Sequence, residues 1–127
     1  MRLLLDTHVL LWWLADDRRL KAPERAVIAS RDSLVYVSAV SLWEIGIKRS
    51  LGRLEVDTEV LEREVEDGGM NELPIRWRHA KVAGGLPKHH EDPFDRMLVA
   101  QAQGEGLTMV TYDRAFKPYD VAVLPSA

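Results

Sequence analysis

Four acidic side chains lie at positions of the sequence that are otherwise apolar. Asp6 ends the apolar run RLLLD, and Asp113 follows a second such run, LTMVT. Glu44 lies inside SLWEIGIK, and Asp95 lies inside DPFDRMLVAQA. Desolvating a carboxylate is costly, so a group of acids in apolar surroundings needs a cation. A hard divalent metal held by oxygen ligands is the simplest such cation, and phosphoryl chemistry is its simplest use.

The two acids at strand ends also have ordinary structural explanations. Asp6 could cap a helix that begins near Thr7, although Thr7 could cap that helix itself. Asp113 could simply begin a turn before Arg114. A metal ligand is nevertheless favoured for Asp6, because the carboxyl end of a first strand is a common functional position. Thr111 and Asp113 together at a strand end look like a hydroxyl beside a ligand.

Glu44 has two structural alternatives to a metal ligand. With Ser41 it has the Ser-x-x-Glu spacing of a helix capping box. With Lys48, one turn further on, it could form a surface ion pair. If Ser38 starts the helix instead, Glu44 falls in the second turn, where a carboxylate among apolar neighbours requires another explanation. The sequence leaves these alternatives open.

The fourth acid belongs to a strongly predicted helix. Asp92 is followed by Pro93, so it is expected to be the structural cap of this helix. Asp95 is the more interesting acid, because the residues after it anchor the helix in the core. Arg96 is expected to pair with Asp95 or to contact a phosphate. A single acid of this kind is easily explained as a cap, but four at such positions are not.

The histidines and tryptophans carry weaker signals. The four histidines, His8, His79, His89 and His90, lack the spacing of a zinc site. His89 and His90 stand beside Glu91 in a polar loop, so solvent exposure is expected for both. The tryptophans are expected in the core or in an interface; they are Trp12, Trp13, Trp43 and Trp77.

Length and composition indicate one ordinary domain over residues 1–127. Hydrophobic residues make up 46% and charged residues 29% of the chain. The absence of cysteine excludes disulfides and thiolate chemistry, and it fits a cytoplasmic protein. The N-terminus does not look like a signal peptide, and no apolar run is long enough to span a bilayer, so no membrane association is expected.

The charge balance limits how the protein could use nucleic acid. A net charge of −3 argues against a protein that coats nucleic acid by charge alone. It does not exclude an enzyme with acids at a metal and bases around them. Three basic stretches around such an acidic centre would suit a surface that binds the phosphate backbone of a nucleic acid. They are Arg18, Arg19, Lys21 and Arg25, then Lys48, Arg49 and Arg53, then Arg76, Arg78, Lys81 and Lys88.

The patterning predicts strands that alternate with helices. Strands are expected at RLLLD, SLVYVS, LTMVT and VAVLP, with a short edge strand at NELPI because Pro74 disfavours a central position. Helices are expected at THVLLWWLA, PERAVIASR, SAVSLWEIGIKRSLG, DTEVLEREVEDGG, RWRHAKVAGGL and DPFDRMLVAQAQGEG. This alternation implies a mainly parallel sheet with helices on both faces. Ligands of such sheets bind beyond the carboxyl ends of the strands, where Asp6 and Asp113 converge if their strands are neighbours.

Four stretches together carry a family resemblance. LLLDTHVLLWWL, SAVSLWEIGIKRSLGRL, HHEDPFDRMLVAQAQ and LTMVTYDRAF resemble the PIN-domain family, and within it the VapC-type toxins of toxin–antitoxin pairs. The resemblance covers essentially the whole chain and implies a three-layer α/β/α sandwich. It also implies an endoribonuclease dependent on Mg²⁺ or Mn²⁺. The acidic quartet of the family falls on Asp6, Glu44, Asp95 and Asp113, as catalytic residues and metal ligands.

The resemblance further implies how such an enzyme works. A metal-activated water would hydrolyse the RNA phosphodiester bond. Thr7 and Thr111 occupy the positions of supporting hydroxyls, and Lys48 or Arg96 could steady the RNA backbone. The family implies a cognate antitoxin protein and a homodimer. Two alternatives remain open. One is a phosphatase-like enzyme with Asp6 as nucleophile, although such enzymes have an Asp-x-Asp pattern at the strand end and this chain has His8 in place of the second aspartate. The other is a non-catalytic nucleic-acid-binding or regulatory module.

Overall fold

The computed structural model describes residues 1–126, which fold around one parallel sheet. Its five strands are β1 Arg2–Leu5, β2 Leu34–Ser38, β3 Asn71–Leu73, β4 Thr108–Val110 and β5 Val123–Leu124. They lie in the order β3-β2-β1-β4-β5, and every pairing is parallel. The chain therefore builds outward from β1 to β3 and then returns to the other side of β1. This reversal places the switch point of the sheet between β1 and β4.

Six helices connect the strands. They are α1 Thr7–Leu14, α2 Ala22–Ala29, α3 Ala39–Ser50, α4 Thr58–Asp67, α5 Trp77–Gly85 and α6 Pro93–Glu105. Asp92 caps α6 as predicted, because its side chain accepts backbone N–H groups at the start of that helix, and Asp57 does the same at the start of α4. Gly106 ends α6 with a φ of 66°, a left-handed conformation that glycine adopts without steric cost.

Alternating side chains of the strands divide the core into two layers. Leu3 and Leu5 pack on one face of β1 with α1, α2 and α4, whereas Leu4 packs on the other face with α6. The three-layer α/β/α sandwich with a parallel sheet is therefore confirmed. The predicted edge strand at NELPI is also confirmed, because β3 is the outermost strand on its side. Within residues 1–126, no helix has the length and apolar character needed to cross a membrane.

Candidate active site

Asp6 stands at the carboxyl end of the central strand and is almost completely buried. Only 4% of it is exposed. Its Oδ1 accepts the Val9 N–H at 3.0 Å, so it caps α1, and its Oδ2 accepts a short hydrogen bond from the Thr111 hydroxyl. Burial raises the pKa of Asp6 above its usual range, although the hydrogen bonds from Thr111 and Val9 act in the opposite direction. Asp6 therefore caps α1, and it is also a buried carboxyl group whose ionised form a nearby cation would stabilise.

Thr111 connects the two acids at the strand ends. Its Oγ1 accepts the Asp113 N–H at 3.0 Å while its hydroxyl donates to Asp6. Asp113 itself is exposed, and its Oδ1 accepts the Ala115 N–H at 2.9 Å, so it also begins a 3₁₀ turn. Because β1 and β4 pair directly, Asp6 and Asp113 follow neighbouring strands, which is the condition that their predicted convergence requires.

Glu44 faces the same end of the sheet from the second turn of α3. Ser38, not Ser41, caps this helix, since the Ser38 Oγ accepts the Val40 N–H at 3.0 Å. Glu44 is buried, and its Oε1 accepts a hydrogen bond from the Thr7 hydroxyl at 2.8 Å. Its Oε2 lies 2.9 Å from Lys48 Nζ. The capping-box alternative is thus wrong, whereas the Glu44–Lys48 pair is present beside the candidate site.

Asp95 forms a tight group with His90 and Asp113. One ligand atom from each of these residues lies within 4.8 Å of the other two. His90 Nε2 is 2.7 Å from Asp95 Oδ2. The pKa of Asp95 is raised to about 6, mainly by burial and also by the negative charges of Asp92 and Glu44, while the hydrogen bond to His90 acts in the opposite direction. The expectation that His90 is exposed to solvent is therefore wrong, whereas His89 is exposed as expected.

The four predicted acids are thus brought together in an extended arrangement. Asp95 and Asp113 belong to the tight group, Asp6 joins it through Thr111, and Glu44 faces Asp95 closely enough to affect its pKa. Both predicted hydroxyls, Thr7 and Thr111, are buried and orient these carboxylates. The polar atoms at this end of the sheet are mainly carboxylate and hydroxyl oxygens. Such a donor set fits a hard divalent cation such as Mg²⁺ or Mn²⁺.

Arg96 does not have the position expected from the sequence. Its guanidinium lies between 2.9 and 3.2 Å from four backbone carbonyl oxygens, and within residues 1–126 it forms no ion pair. These carbonyls belong to Ala83, Leu86, Pro87 and His90. Arg96 therefore clamps the end of α5 and the loop that joins α5 to α6, because carbonyls at a helix end and in a loop lack the donors that regular secondary structure supplies.

We expect Arg96→Gln to lower the free energy of unfolding by about 2 kcal/mol, since charge-assisted hydrogen bonds to four carbonyls are lost. Urea denaturation of the metal-free protein measures this change. Arg63→Gln, at an exposed position on α4, is the matched control and should change stability by less than about 0.5 kcal/mol. Equal stability of the two variants would contradict the clamp.

Two further positions that the sequence analysis missed hold the site together. Gln101 is fully buried on α6; it accepts a hydrogen bond from Ser38 at 2.6 Å and donates to the Pro74 carbonyl at 3.3 Å. Ser38 begins α3, so this amide sets α3 and its Glu44 relative to α6 and its Asp95. The only signal for Gln101 was a lone amide in the run LVAQA. Tyr119 binds the loop that carries His90.

The tryptophans divide into two groups. Trp12 and Trp13 are partly buried and pack against the core, as expected. Trp43 is 61% and Trp77 is 88% exposed, so neither lies in the core. Trp43 has an edge-on contact with Phe94 at a centroid distance of 5.2 Å.

Fold and site together define a class of α/β protein with an acidic, oxygen-lined site at the switch point of a parallel sheet. The PIN domain family model matches residues 3–122. The chain belongs to the PIN-domain family.

Known relatives extend this comparison. Ribonuclease VapC22 from Mycobacterium tuberculosis is 30% identical over 119 residues, which cover 91% of this chain and 90% of that protein. The solved VapBC2 from Rickettsia felis, bound to a DNA fragment from its promoter, has a TM-score of 0.69 at 15% identity and covers 97% of both chains. A toxin–antitoxin complex from Klebsiella pneumoniae has a TM-score of 0.68 at 21% identity and covers 96% of both chains.

Proposed function

We propose that the protein is a metal-dependent endoribonuclease that acts as the toxin of a toxin–antitoxin pair. The observation that carries the proposal is the line of carboxylates and hydroxyls across the carboxyl ends of β1 and β4, in which Asp6 and Thr111 are buried and Asp113 is exposed. Asp6, Thr111 and Asp113 are linked in this line by hydrogen bonds, and Asp95 faces them from α6. The similarity to a ribonuclease over most of the chain supports RNA as the substrate.

The chain's own residues hold and orient the components of the reaction. Asp6, Glu44, Asp95 and Asp113 would hold Mg²⁺ or Mn²⁺. When bound, such a cation supplies an activated water and neutralises negative charge on the phosphate oxygens. Thr111 fixes the rotamer of Asp6, and Thr7 does the same for Glu44. Lys48 restrains the Glu44 side chain through an ion pair at 2.9 Å.

A cavity beside the acids offers a path for the RNA backbone. Thr111 and Asp113 line it together with the basic side chains of Lys21, Arg114 and Lys117. Phosphates bind cationic side chains without regard to sequence, so these residues would hold nucleotides next to the scissile bond. Three basic side chains thus lie beside the acids although the net charge of the chain is −3.

We expect the double variant Arg114→Gln/Lys117→Gln to raise KM for RNA while kcat changes little, because both side chains are placed to contact phosphates and not the metal. The salt dependence of RNA binding should weaken, with a log–log slope lower by about 0.7 for each lost contact. Binding to a short single-stranded RNA at several salt concentrations measures this. Arg63→Gln is the control, and an unchanged slope in the double variant would exclude this cavity as the backbone path.

Cleavage of RNA by the purified protein tests the proposed function directly. Mixed cellular RNA should be cut with Mg²⁺ or Mn²⁺, should survive with EDTA, and should survive with Asp95→Asn protein. The absence of cutting by well-folded wild-type protein with either metal would overturn the nuclease proposal. Cleavage without metal would overturn the proposed metal site alone.

The toxin role has a separate test. The solved relatives include toxin–antitoxin complexes, which supports an antitoxin partner here. The family resemblance adds a homodimer, and the absence of cysteine fits a cytoplasmic location. Expression of the wild-type chain should arrest growth, and both Asp95→Asn and coexpression of a neighbouring antitoxin gene should relieve the arrest. If the active nuclease is harmless in cells and binds no neighbouring product, the toxin proposal fails while the nuclease proposal stands.

The phosphatase-like alternative has less support. A nucleophilic carboxylate must reach the phosphorus atom, but Asp6 is 4% exposed and both of its oxygens accept hydrogen bonds. A phospho-aspartate formed on incubation with a phosphate ester would favour this alternative. The non-catalytic module is excluded if RNA cleavage depends on Asp95.

A further inference from the structure

The side chain of His90 points into the acidic site, and the proposed reaction assigns it no role. Its Nε2 lies 2.7 Å from Asp95 Oδ2, and the side chain of His90 is 24% exposed. A ring atom of His90 and one oxygen each from Asp95 and Asp113 lie within 4.8 Å of one another. Two neighbouring ligands of an octahedral cation at about 2.1 Å are about 3 Å apart. The His90–Asp95 separation is close to that value.

The loop around His90 is held on several sides. The His90 N–H donates to Tyr119 Oη at 3.0 Å, and its carbonyl accepts from Arg96 at 3.2 Å. The Tyr119 hydroxyl in turn donates to the Pro87 carbonyl at 2.9 Å. The ring of His90 meets Phe116 edge-on. These contacts orient the imidazole before any ligand arrives, as preorganised ligand sets require.

We infer that His90 is a nitrogen ligand of the metal and makes the site select Mn²⁺ over Mg²⁺. Divalent first-row metals accept imidazole nitrogen as a ligand, and even Mn²⁺, the weakest binder of that series, binds it better than Mg²⁺, which prefers oxygen ligands. An all-oxygen site formed by the acids alone would discriminate less between the two ions. The inference rests on the proposed metal-dependent function, because it adds a ligand to the same site.

A purely structural role for His90 makes a different prediction. In that case the imidazole pairs with Asp95 in the metal-free protein and moves aside when the cation binds. A bound ion would then have oxygen ligands only, and loss of the imidazole would leave the preference between Mn²⁺ and Mg²⁺ unchanged. The identity of the ligand atoms therefore separates the two roles without any measurement of activity.

Pulsed electron paramagnetic resonance of Mn²⁺ bound to the full chain detects the ligand directly. Wild-type protein should give a modulation from one coordinated ¹⁴N, which should change to the ¹⁵N pattern when only the histidines are labelled with ¹⁵N. The modulation should vanish in His90→Asn and persist in His89→Asn, which alters the neighbouring exposed histidine. His8→Asn, beside Asp6, is the second control. The isotope experiment needs no substitution, so it remains decisive if His90→Asn does not fold.

Calorimetric titration with each metal alone gives a second readout. We expect His90→Asn to weaken Mn²⁺ binding by about 10- to 100-fold and to affect Mg²⁺ binding much less. Bound Mn²⁺ without nitrogen coupling, or equal losses for both ions, would overturn the inference and leave the proposed function intact. Failure of the wild-type chain to bind either ion would overturn both.

Discussion

Asp6→Asn is expected to reduce RNA cleavage by at least about 100-fold while the protein remains folded. The substitution keeps the shape of the side chain, and its oxygen can still accept the Val9 N–H that caps α1. It removes the charge that would hold the cation at the carboxyl end of β1. Loss of one preorganised electrostatic group in an active site typically costs this much or more. Single-turnover cleavage of a defined RNA with saturating Mn²⁺ measures the effect.

Asp57→Asn is the matched control for this experiment. Asp57 is also an aspartate that caps a helix, since its Oδ1 accepts N–H groups at the start of α4. It is exposed and belongs to no part of the candidate site. Cleavage by Asp57→Asn should equal that of wild type within about twofold. Normal cleavage by a well-folded Asp6→Asn protein would remove Asp6 from the proposed active site.

The same substitution should stabilise the metal-free protein at neutral pH. Burial raises the pKa of Asp6, and of Asp95 to about 6, above their ordinary value of 3.8, so folding favours the protonated forms. Asp95 therefore destabilises the metal-free fold progressively as pH rises from about 4 through 6, and Asp6 acts in the same direction above about pH 4. Asp6→Asn should melt at a higher temperature than wild type at pH 7.5 without metal. Added Mn²⁺ should raise the melting temperature of wild type more than that of the variant.

His79→Ala is expected to lower the free energy of unfolding by about 3 kcal/mol, the largest effect outside the active site. His79 is 1% exposed; its Nδ1 accepts the Arg76 N–H at 2.9 Å, and its Nε2 lies 2.8 Å from Glu105 Oε1. The imidazole thus joins the start of α5 to the end of α6. Its removal leaves a cavity and unpaired polar groups, and both are costly. Urea denaturation of the metal-free protein measures the change.

His89→Ala is the control, because His89 is exposed in the loop before α6 and should affect stability by less than about 0.5 kcal/mol. His79→Ala should retain cleavage at low temperature, since His79 contacts the end of α6 remote from Asp95. A stability equal to that of His89→Ala would show that the buried network contributes nothing. Loss of cleavage by a variant that remains fully folded would show that its role extends to the site.

The local pattern of the chain was sufficient to predict the elements and the ends of most of them. Short apolar runs bounded by polar residues determine the strands, and side chains such as Asp57 and Asp92 determine where helices begin. The four acids were identifiable from local sequence too, because a carboxylate among apolar residues is costly to desolvate and therefore needs a specific reason to be there. These signals extend over a few residues, and so they can be read along the sequence.

The partners of individual side chains were decided only by the tertiary structure. Asp6 and Asp113 meet because β1 lies beside β4, and Glu44 faces Asp95 because Gln101 connects their two helices. The direction of a side chain in a loop depends on long-range contacts, which local periodicity does not encode. His90 was therefore predicted to face solvent, although Tyr119, 29 positions away, holds its backbone and the ring points into the site.

Arg96 illustrates the same division between local and long-range information. Its position next to Asp95 suggested a role in binding charge, but neighbours on a helix point about 100° apart and rarely contact the same group. The guanidinium instead binds four carbonyls at the end of α5 and in the loop that follows it. The sequence by itself determined the elements and the acidic chemistry at their ends. Packing between distant segments decided which side chains share the site, because a contact's free energy depends on groups that only the folded chain brings together.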